Sequence, residues 1–308
     1  MTTMIRPPRL RAGDRVALVA PAGPVPADKL QIALTRVKVL GLEPVLGRAV
    51  RERTGYLAGP DEARAADFQR AIDDPDIAAI WAVRGGYGGM RTLQHVDLAG
   101  LADRPRAFIG FSDNTVIHRA LARLGLVSFH GPHAGSDAFP PATTQCFRRV
   151  LWNAEPAGLL PDPTSGPDPT TLVSGVAEGP LTGGNLAMLA ATCGTSWQLD
   201  ARGRIVVMED IGEPLYRIDR LLLQLRLAGA LDGAAGFAFG RFTDIPGDDE
   251  RDPSLADVVL SLIAPLRVPA VLGLPIGHAD ENWTLPLGVP SRLDADARTL
   301  TILEPAVT

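Results

Sequence analysis

An alternation in the first 130 residues constrains this chain most: short apolar runs separated by stretches with helical periodicity. Residues 15–20 (RVALVA), 77–83 (IAAIWAV) and 107–110 (AFIG) have strand length, and 43–46 and 127–130 read as two further strands. A strand that is apolar on both faces must be covered on both, and a parallel sheet wrapped by helices does this. The intervening segments supply the helices. Residues 27–40 put Leu30, Ala33, Leu34, Val37 and Leu40 on one face and stop at Gly41. Residues 61–72 open with Asp61 and Glu62, where a helix N-terminus favours negative charge. Another helix is expected near 114–124, directly after the fourth strand.

The alternation stops at residues 156–170, PAGLLPDPTSGPDPT, whose five prolines make it the best candidate for a linker. The expected division is therefore 1–155 as an N-terminal domain, 156–172 as linker and 173–308 as a C-terminal domain. In the second part a Gly183-Gly184 turn precedes a helix from Asn185, and 205–208 reads as a strand. Residues 216–228 form an amphipathic helix carrying Ile218, Leu221, Leu222 and Leu225. Segments 236–240, 254–263 and 271–272 continue the pattern, and 293–302 reads as a β-hairpin turning at 294–298.

Charge and cysteine use narrow the function. The formal net charge of -5 argues against a partner with a phosphate backbone and against an anionic membrane surface. Cys146 and Cys193 form no CxxC pair, so they read as reduced, buried thiols rather than zinc or redox ligands. The apolar run near the start, Val16 to Ala20, is cut by Pro21 and is too short for a signal-peptide core. A cytoplasmic protein is expected.

Gly110-Phe111-Ser112-Asp113-Asn114 lies between an apolar strand and a helix. Such a turn projects a small side chain from the carboxyl end of the sheet, at a helix N-terminus that favours negative charge. Ser112 is open to two readings here: a helix N-cap, or a nucleophile whose attacked carbonyl oxygen is stabilised in part by the Asp113 N–H. The motif departs from G-x-S-x-G, because Asn114 stands where the second glycine would be. A Gly-rich loop, Arg84-Gly85-Gly86-Tyr87-Gly88-Gly89, ends a neighbouring strand and belongs on the same sheet edge. It could bring a second oxyanion N–H, from Gly85 or Gly86. It lacks the third glycine of a dinucleotide fingerprint and the Gly-Lys-Ser/Thr of a phosphate loop.

A serine nucleophile needs a base, and the chain has five histidines, at 95, 118, 130, 133 and 278. His118 follows Ser112 on its helix. His130 and His133, in His-Gly-Pro-His, fit a strand-end loop lining a cleft better than a metal pair with no third ligand. His278 sits in a polar loop after a strand, where a satisfied loop histidine is the plainer reading. Its orienting carboxylate would be Glu209, at the mouth of the 205–208 strand, with Asp210, Asp280 and Glu281 as rivals. Glu209 could equally serve the dipole of the helix beginning near Pro214.

Six segments in this order resemble the LD-carboxypeptidase family, which includes the microcin C self-immunity peptidases: VAPAG at 19–23, RGGYG at 84–88, GFSD at 110–113, LTGGNL at 181–186, MED at 208–210 and GH at 277–278. The resemblance covers nearly the whole chain. It implies an α/β protein with an N-terminal flavodoxin-like, or class I glutamine amidotransferase-like, parallel sheet domain and a smaller C-terminal α/β domain that closes the site. It implies a triad of Ser112, Glu209 and His278, no metal or organic cofactor, and a homodimer. The implied reaction releases the terminal D-alanine from cytosolic murein tetrapeptides during peptidoglycan recycling. Arg84, Tyr87 and Arg241 are candidate contacts to the substrate, the arginines because a carboxylate is often clamped by a bidentate guanidinium. Two rivals remain. One is hydrolysis of an aminoacyl-nucleotide antibiotic, with Trp152, Trp197 or Trp283 stacking the base, although the compact length favours the murein branch. The other is a non-catalytic, two-lobed ligand-binding protein.

Overall fold

The computed structural model describes residues 4–247 and 253–308. Its first half contains β1 (Arg15–Val19), α1 (Ala27–Val39), β2 (Glu43–Leu46), α2 (Asp61–Asp73), β3 (Ile77–Ala82), α3 (Gly89–Thr92), α4 (Gly100–Asp103), β4 (Ala107–Gly110), α5 (Thr115–Arg123), β5 (Ser128–His130) and α6 (Pro141–Trp152). The apolar strands lie buried as the sequence requires, β4 along its whole length. α1 turns Leu30, Ala33 and Val37 inward at helical spacing and places Asp28 in its first turn and Arg36 and Lys38 in its last.

These five strands pair in parallel in the order β2-β1-β3-β4-β5. That is the flavodoxin-like order, whose chain reverses direction of travel between β1 and β3 and leaves a crevice at the carboxyl ends there. The two loops flanking that crevice are the ones singled out above. Gly23, after β1, donates its N–H to the carbonyl of Gly85, after β3, at 3.0 Å.

The second half contains β6 (Pro156–Leu159), β7 (Thr170–Val173), β8 (Val176–Asn185), α7 (Leu186–Ala191), β9 (Ile205–Ile211), α8 (Leu215–Leu227), β10 (Gly236–Thr243), α9 (Leu255–Ile263), β11 (Ala270–Leu272), β12 (Leu285–Leu287), β13 (Pro290–Asp294) and β14 (Thr299–Pro305). Eight strands form a mixed sheet in the order β6-β14-β13-β8-β9-β10-β11-β7. β8, β9, β10 and β11 run parallel at its centre, and β13 and β14 are the expected terminal hairpin.

Three features differ from expectation. The proline-rich stretch at 156–172, expected to be a linker, carries strands at its ends. Its ends are β6 and β7, the two opposite edges of the second sheet. Proline and glycine are tolerated there because an edge strand pairs on one side only. Gly183 and Gly184 are not a turn but lie inside β8. A Cβ on Gly183 would collide with the Val207 carbonyl, and one on Gly184 would meet the Thr115 hydroxyl at 2.5 Å. The glycines let β8 pass close to β9 and α5. Finally, β12 leaves the second half and joins the first sheet, antiparallel to β5.

This crossing fuses the halves. A single apolar cluster runs from Leu18, Trp81 and Phe129 through Leu274, Ile276 and Trp283 to Val207 and Leu293. Burying each large member stabilises by about 1.5–3 kcal/mol. The two sheets are therefore held together by core, not only by a connecting strand.

Candidate active site

β4 ends at Gly110, which is pressed so close to Ala82 and Asn114 that a Cβ would lie 3.2–3.3 Å from them. The chain then turns sharply: Ser112 has φ of 61°, in the left-handed region. A non-glycine residue held there costs on the order of 1–3 kcal/mol and persists only when its surroundings enforce it. The surroundings are visible. Asn114 is fully buried and donates from Nδ2 to the Phe111 carbonyl at 3.1 Å, with His133 Nε2 at 3.0 Å. It thus pins the turn at the position where a second glycine would otherwise stand. The Asp113 carboxylate accepts from the Gly89 N–H at 2.7 Å, tying the turn to the Gly-rich loop; burial pushes its pKa up to about 6.

That loop lies directly against Ser112. A Cβ on Gly85 would sit 2.9 Å from Ser112 Cβ and 3.0 Å from Oγ. Gly86, at φ of 110°, faces Gly23, where its Cβ would meet the Gly23 Cα at 2.9 Å. Gly85 leaves room for the hydroxyl, and Gly86 lets the loop pack backbone to backbone against Gly23.

Glu209 and His278 arrive from the second half. Glu209 lies in β9 at the centre of the second sheet and is fully buried. His278 lies on the segment that carries the chain from β11 to β12. Its ring Nδ1 is 2.6 Å from Glu209 Oε2, its backbone N–H donates to the same oxygen at 3.2 Å, and its Nε2 is 3.2 Å from Ser112 Oγ. Gly277 adopts φ of 95° with the Glu209 carboxylate packed where a side chain would be. The Phe111 ring lies 4.7 Å from the imidazole, centre to centre. The Nδ1 contact to a carboxylate makes Nδ1 the donor and leaves Nε2 to accept from the hydroxyl.

Electrostatics follow from this packing. Burial pulls the His278 pKa down, but the Glu209 charge and hydrogen bond outweigh it and the net shift is upward. Burial alone would push Glu209 up; the charge of His278 holds it below the ordinary carboxylate range. A hydroxyl facing an imidazole whose other nitrogen is bonded to a buried carboxylate can give up its proton as it attacks a carbonyl.

The rival carboxylates are engaged elsewhere. Asp210 accepts from Asn185 Nδ2 at 2.8 Å and from the Ala187 and Ile211 amides. Asp280 is exposed, and Glu281 accepts from Thr164. Among the other histidines, His118 packs under the sheet, 2.8 Å from the Gly110 carbonyl and 2.9 Å from Ser128 Oγ. His133 stacks on Phe111, and burial lowers its pKa to about 3. His130 is buried within 3.8 Å of Glu209. His95 is exposed, away from this cluster.

The candidate substrate contacts divide. Arg84 and Tyr87 are exposed on the Gly-rich loop, Arg84 donating to the Pro24 carbonyl at 2.8 Å. Arg241 is almost wholly buried and donates to the Ser165 carbonyl of the proline-rich loop. Phe111, Asn185 and the approach of His130 to Glu209 were not read from the sequence as parts of the site. Phe111 and Asn185 stood inside the motifs GFSD and LTGGNL, but nothing in a linear motif says which way a side chain faces.

Models of the two LD-carboxypeptidase domains match this chain, the N-terminal one over residues 16–131 and the C-terminal one over residues 178–293. A putative carboxypeptidase of Streptomyces coelicolor is 43% identical over 100% of this chain and 99% of its own length. The murein tetrapeptide carboxypeptidase of Pseudomonas aeruginosa is 38% identical over 92% of this chain and 94% of its own. The crystal structure of a muramoyltetrapeptide carboxypeptidase from Oxalobacter formigenes superposes with a TM-score of 0.82 at 33% identity, covering 94% of this chain and 99% of that one. The microcin C7 self-immunity protein, solved with glutamyl sulfamoyl guanosine, gives a TM-score of 0.86 at 23% identity over 98% of this chain and 99% of that one, a likeness of fold. With both domain models matched in order and relatives of this identity aligned from end to end, the chain belongs to the LD-carboxypeptidase family and is a serine-type carboxypeptidase.

Proposed function

We propose that this protein releases the terminal D-alanine from murein tetrapeptides in the cytosol, as a step of peptidoglycan recycling and as a homodimer. Ser112 is the nucleophile, His278 the base and Glu209 the group that orients it. The observation that carries this reading is the pair of contacts at His278: 3.2 Å to Ser112 Oγ and 2.6 Å to Glu209 Oε2.

The chemistry follows from that arrangement. His278 Nε2 takes the Ser112 proton as Oγ attacks the carbonyl between the third residue and D-alanine. Glu209 holds Nδ1–H and stabilises the imidazolium that forms. The imidazolium returns its proton to the departing amine of D-alanine, and a water activated by the same nitrogen hydrolyses the acyl-enzyme. The oxyanion is received by the Asp113 N–H and by an N–H of Gly85 or Gly86, each donor contributing on the order of 10²–10³ in kcat. Arg84 and Tyr87, exposed at the mouth, are the candidates for the D-alanine carboxylate; Arg241 is a weaker one, since it already serves the Ser165 carbonyl.

The competing substrate class is an aminoacyl nucleotide. Of the tryptophans, Trp283 is 2% exposed and has no free face, whereas Trp152 and Trp197 are half-buried. What supports the peptide reading is the greater identity to the murein tetrapeptide carboxypeptidase, 38% against 26% for the microcin C7 self-immunity protein. The test is a parallel assay on a murein tetrapeptide and on an aminoacyl sulfamoyl adenosine, with wild type and Ser112→Ala. Release of D-alanine by the wild type alone is expected. Hydrolysis of the nucleotide conjugate with no D-alanine released would replace this reading by the rival one.

A further inference from the structure

Glu209 uses only one of its two oxygens. Oε2 takes both His278 contacts, while Oε1 is buried and, among the described residues, has no hydrogen-bond partner. A carboxylate oxygen out of water and without a donor is costly, and such groups in folded proteins ordinarily find one. Opposite it stands His130, also fully buried, with neither ring nitrogen partnered among the described residues. Its Nε2 is 3.8 Å from Oε1. Two buried polar groups thus face each other across the junction of the halves, short of contact by less than the width of an atom. At that separation a water bonding to both would do so at a cramped angle, so the direct bond is the natural way to satisfy them.

The two groups come from different halves. His130 ends β5 beside the strand that leads to Ser112, with Gly110 as its register partner, and Leu285 of β12 pairs with it on the other side. Its ring is steadied edge-on by Phe111 and tilted against His118. Glu209 belongs to the second sheet. A small relative movement of the sheets closes the gap.

Building on the triad reading above, we propose that His130 is a positioning residue: in the working enzyme its Nε2–H bonds Glu209 Oε1, so that the carboxylate is clasped between two imidazoles, one from each half. The clasp fixes the plane of the carboxylate, and with it the His278 ring, relative to the strand that carries Ser112. It also divides the carboxylate's negative charge. His278 is therefore less basic than it would be as the sole partner. The groups facing His278 besides Glu209 are Asp210, Asp244 and His133; those facing His130 are Glu209, His118 and His133. None of these is changed in the variants below.

The test has a spectroscopic and a kinetic arm. Nitrogen-15 NMR of the histidine rings reports which ring nitrogen of His130 bears hydrogen. Nε2 protonated in the wild type is expected, and Nε2 bare would overturn the proposal with no variant needed. In His130→Phe, which has no donor, kcat is expected to fall by about 10- to 100-fold with little change in KM. The His278 titration should move up, by roughly half a unit, and carry the acid limb of kcat/KM with it. His130→Gln places an amide near the same point and should recover most of both. Wild-type kcat and titration in His130→Phe would sink the idea. So would a loss shared equally by Gln and Phe with no shift of the titration, because that pattern is structural. The ring measurements use no substrate, so an inactive wild type would refute the tetrapeptide reading while leaving the contact to be decided on its own.

Discussion

Ser112 and His278 meet at 3.2 Å, yet they are held there by opposite means. Ser112 is fixed by its own neighbourhood. The strand, the positive-φ turn and the helix lie within a few residues, and Gly85 crowds it from the end of the adjacent strand. His278 is fixed by contacts remote in sequence. Thr243 donates to its carbonyl, Asn282 Oδ1 accepts from the Gly277 N–H while the Asn282 N–H donates to Thr143 Oγ1, and Glu209 accepts from the ring. The first region holds the proposed nucleophile by backbone strain. The second holds the proposed base by hydrogen bonds across the junction of two sheets. Changes in the first region should therefore trade activity against stability, whereas changes in the second should alter the pH response.

The largest effect should come from the strained position. Ser112→Ala is expected to lower kcat/KM by about 10⁴-fold or more. Ser112→Gly should be equally inactive but more stable, because glycine adopts φ of 61° without penalty, by about 1 kcal/mol. Thermal unfolding of the two variants reads this directly. A glycine variant no more stable than the alanine one would mean that the turn stores no strain.

Next is Glu209→Gln, for which a loss of about 10³–10⁴-fold in kcat is expected, since the amide no longer stabilises the imidazolium. The direction of the pH shift sharpens the comparison. In the proposed mechanism His278 must be unprotonated to accept the Ser112 proton, and Glu209 raises its pKa above the ordinary 6.5. Wild-type kcat/KM should therefore fall as pH drops through a value above 6.5. Without the carboxylate charge the imidazole loses protons more readily, so the remaining activity should keep its plateau to lower pH. A pH profile displaced the other way would contradict the assigned pairing. In the first region, by contrast, Gly85→Ala should cut kcat by about 10²-fold with the acid limb unmoved, because its Cβ would displace Ser112 and the proposed oxyanion donors.

The same contrast explains what could be read from the sequence. The parallel sheet and the elbow were legible because their causes are local: apolar strands at β1, β3 and β4, helices with a clear period, and Gly-Phe-Ser-Asp between strand and helix. Sequence reasoning reached Glu209 and His278 by resemblance; the residues by themselves left Asp210, Asp280 and Glu281 open. What separates them is which way β9 faces and how the 273–284 segment crosses between sheets, and those are properties of packing. The proline-rich stretch was misjudged at its ends for a similar reason. Proline says that a central strand is excluded, but an edge strand such as β6 remains possible. Gly183 and Gly184 read as a turn because the intimate contact of β8 with β9 and α5 leaves no trace in periodicity.

The smallest effect expected is at a strut of the second region, and it tests whether that region can be weakened without harm to the chemistry. Asn185 caps α7 by accepting from the Met188 N–H at 3.1 Å, donates from its side chain to Asp210 at 2.8 Å, and donates its backbone N–H to Thr115 Oγ1 at 2.9 Å. Asn185→Ala removes the first two contacts and should cost about 1–2 kcal/mol of stability, with kcat/KM falling less than tenfold. The cost should depend on pH. Burial and then the Glu209 charge raise the Asp210 pKa from 3.8 to about 6, so the folded protein holds its proton more tightly than the unfolded chain and loses stability as pH rises through that window. Deleting a donor to the ionised carboxylate pushes this pKa further up. The Tm deficit of Asn185→Ala should therefore be larger at pH 7.5 than at pH 5. A deficit independent of pH would mean that the loss is the helix cap alone, and a fall in kcat as deep as that of Glu209→Gln would mean that Asp210 and Asn185 belong to the machinery that aligns the base.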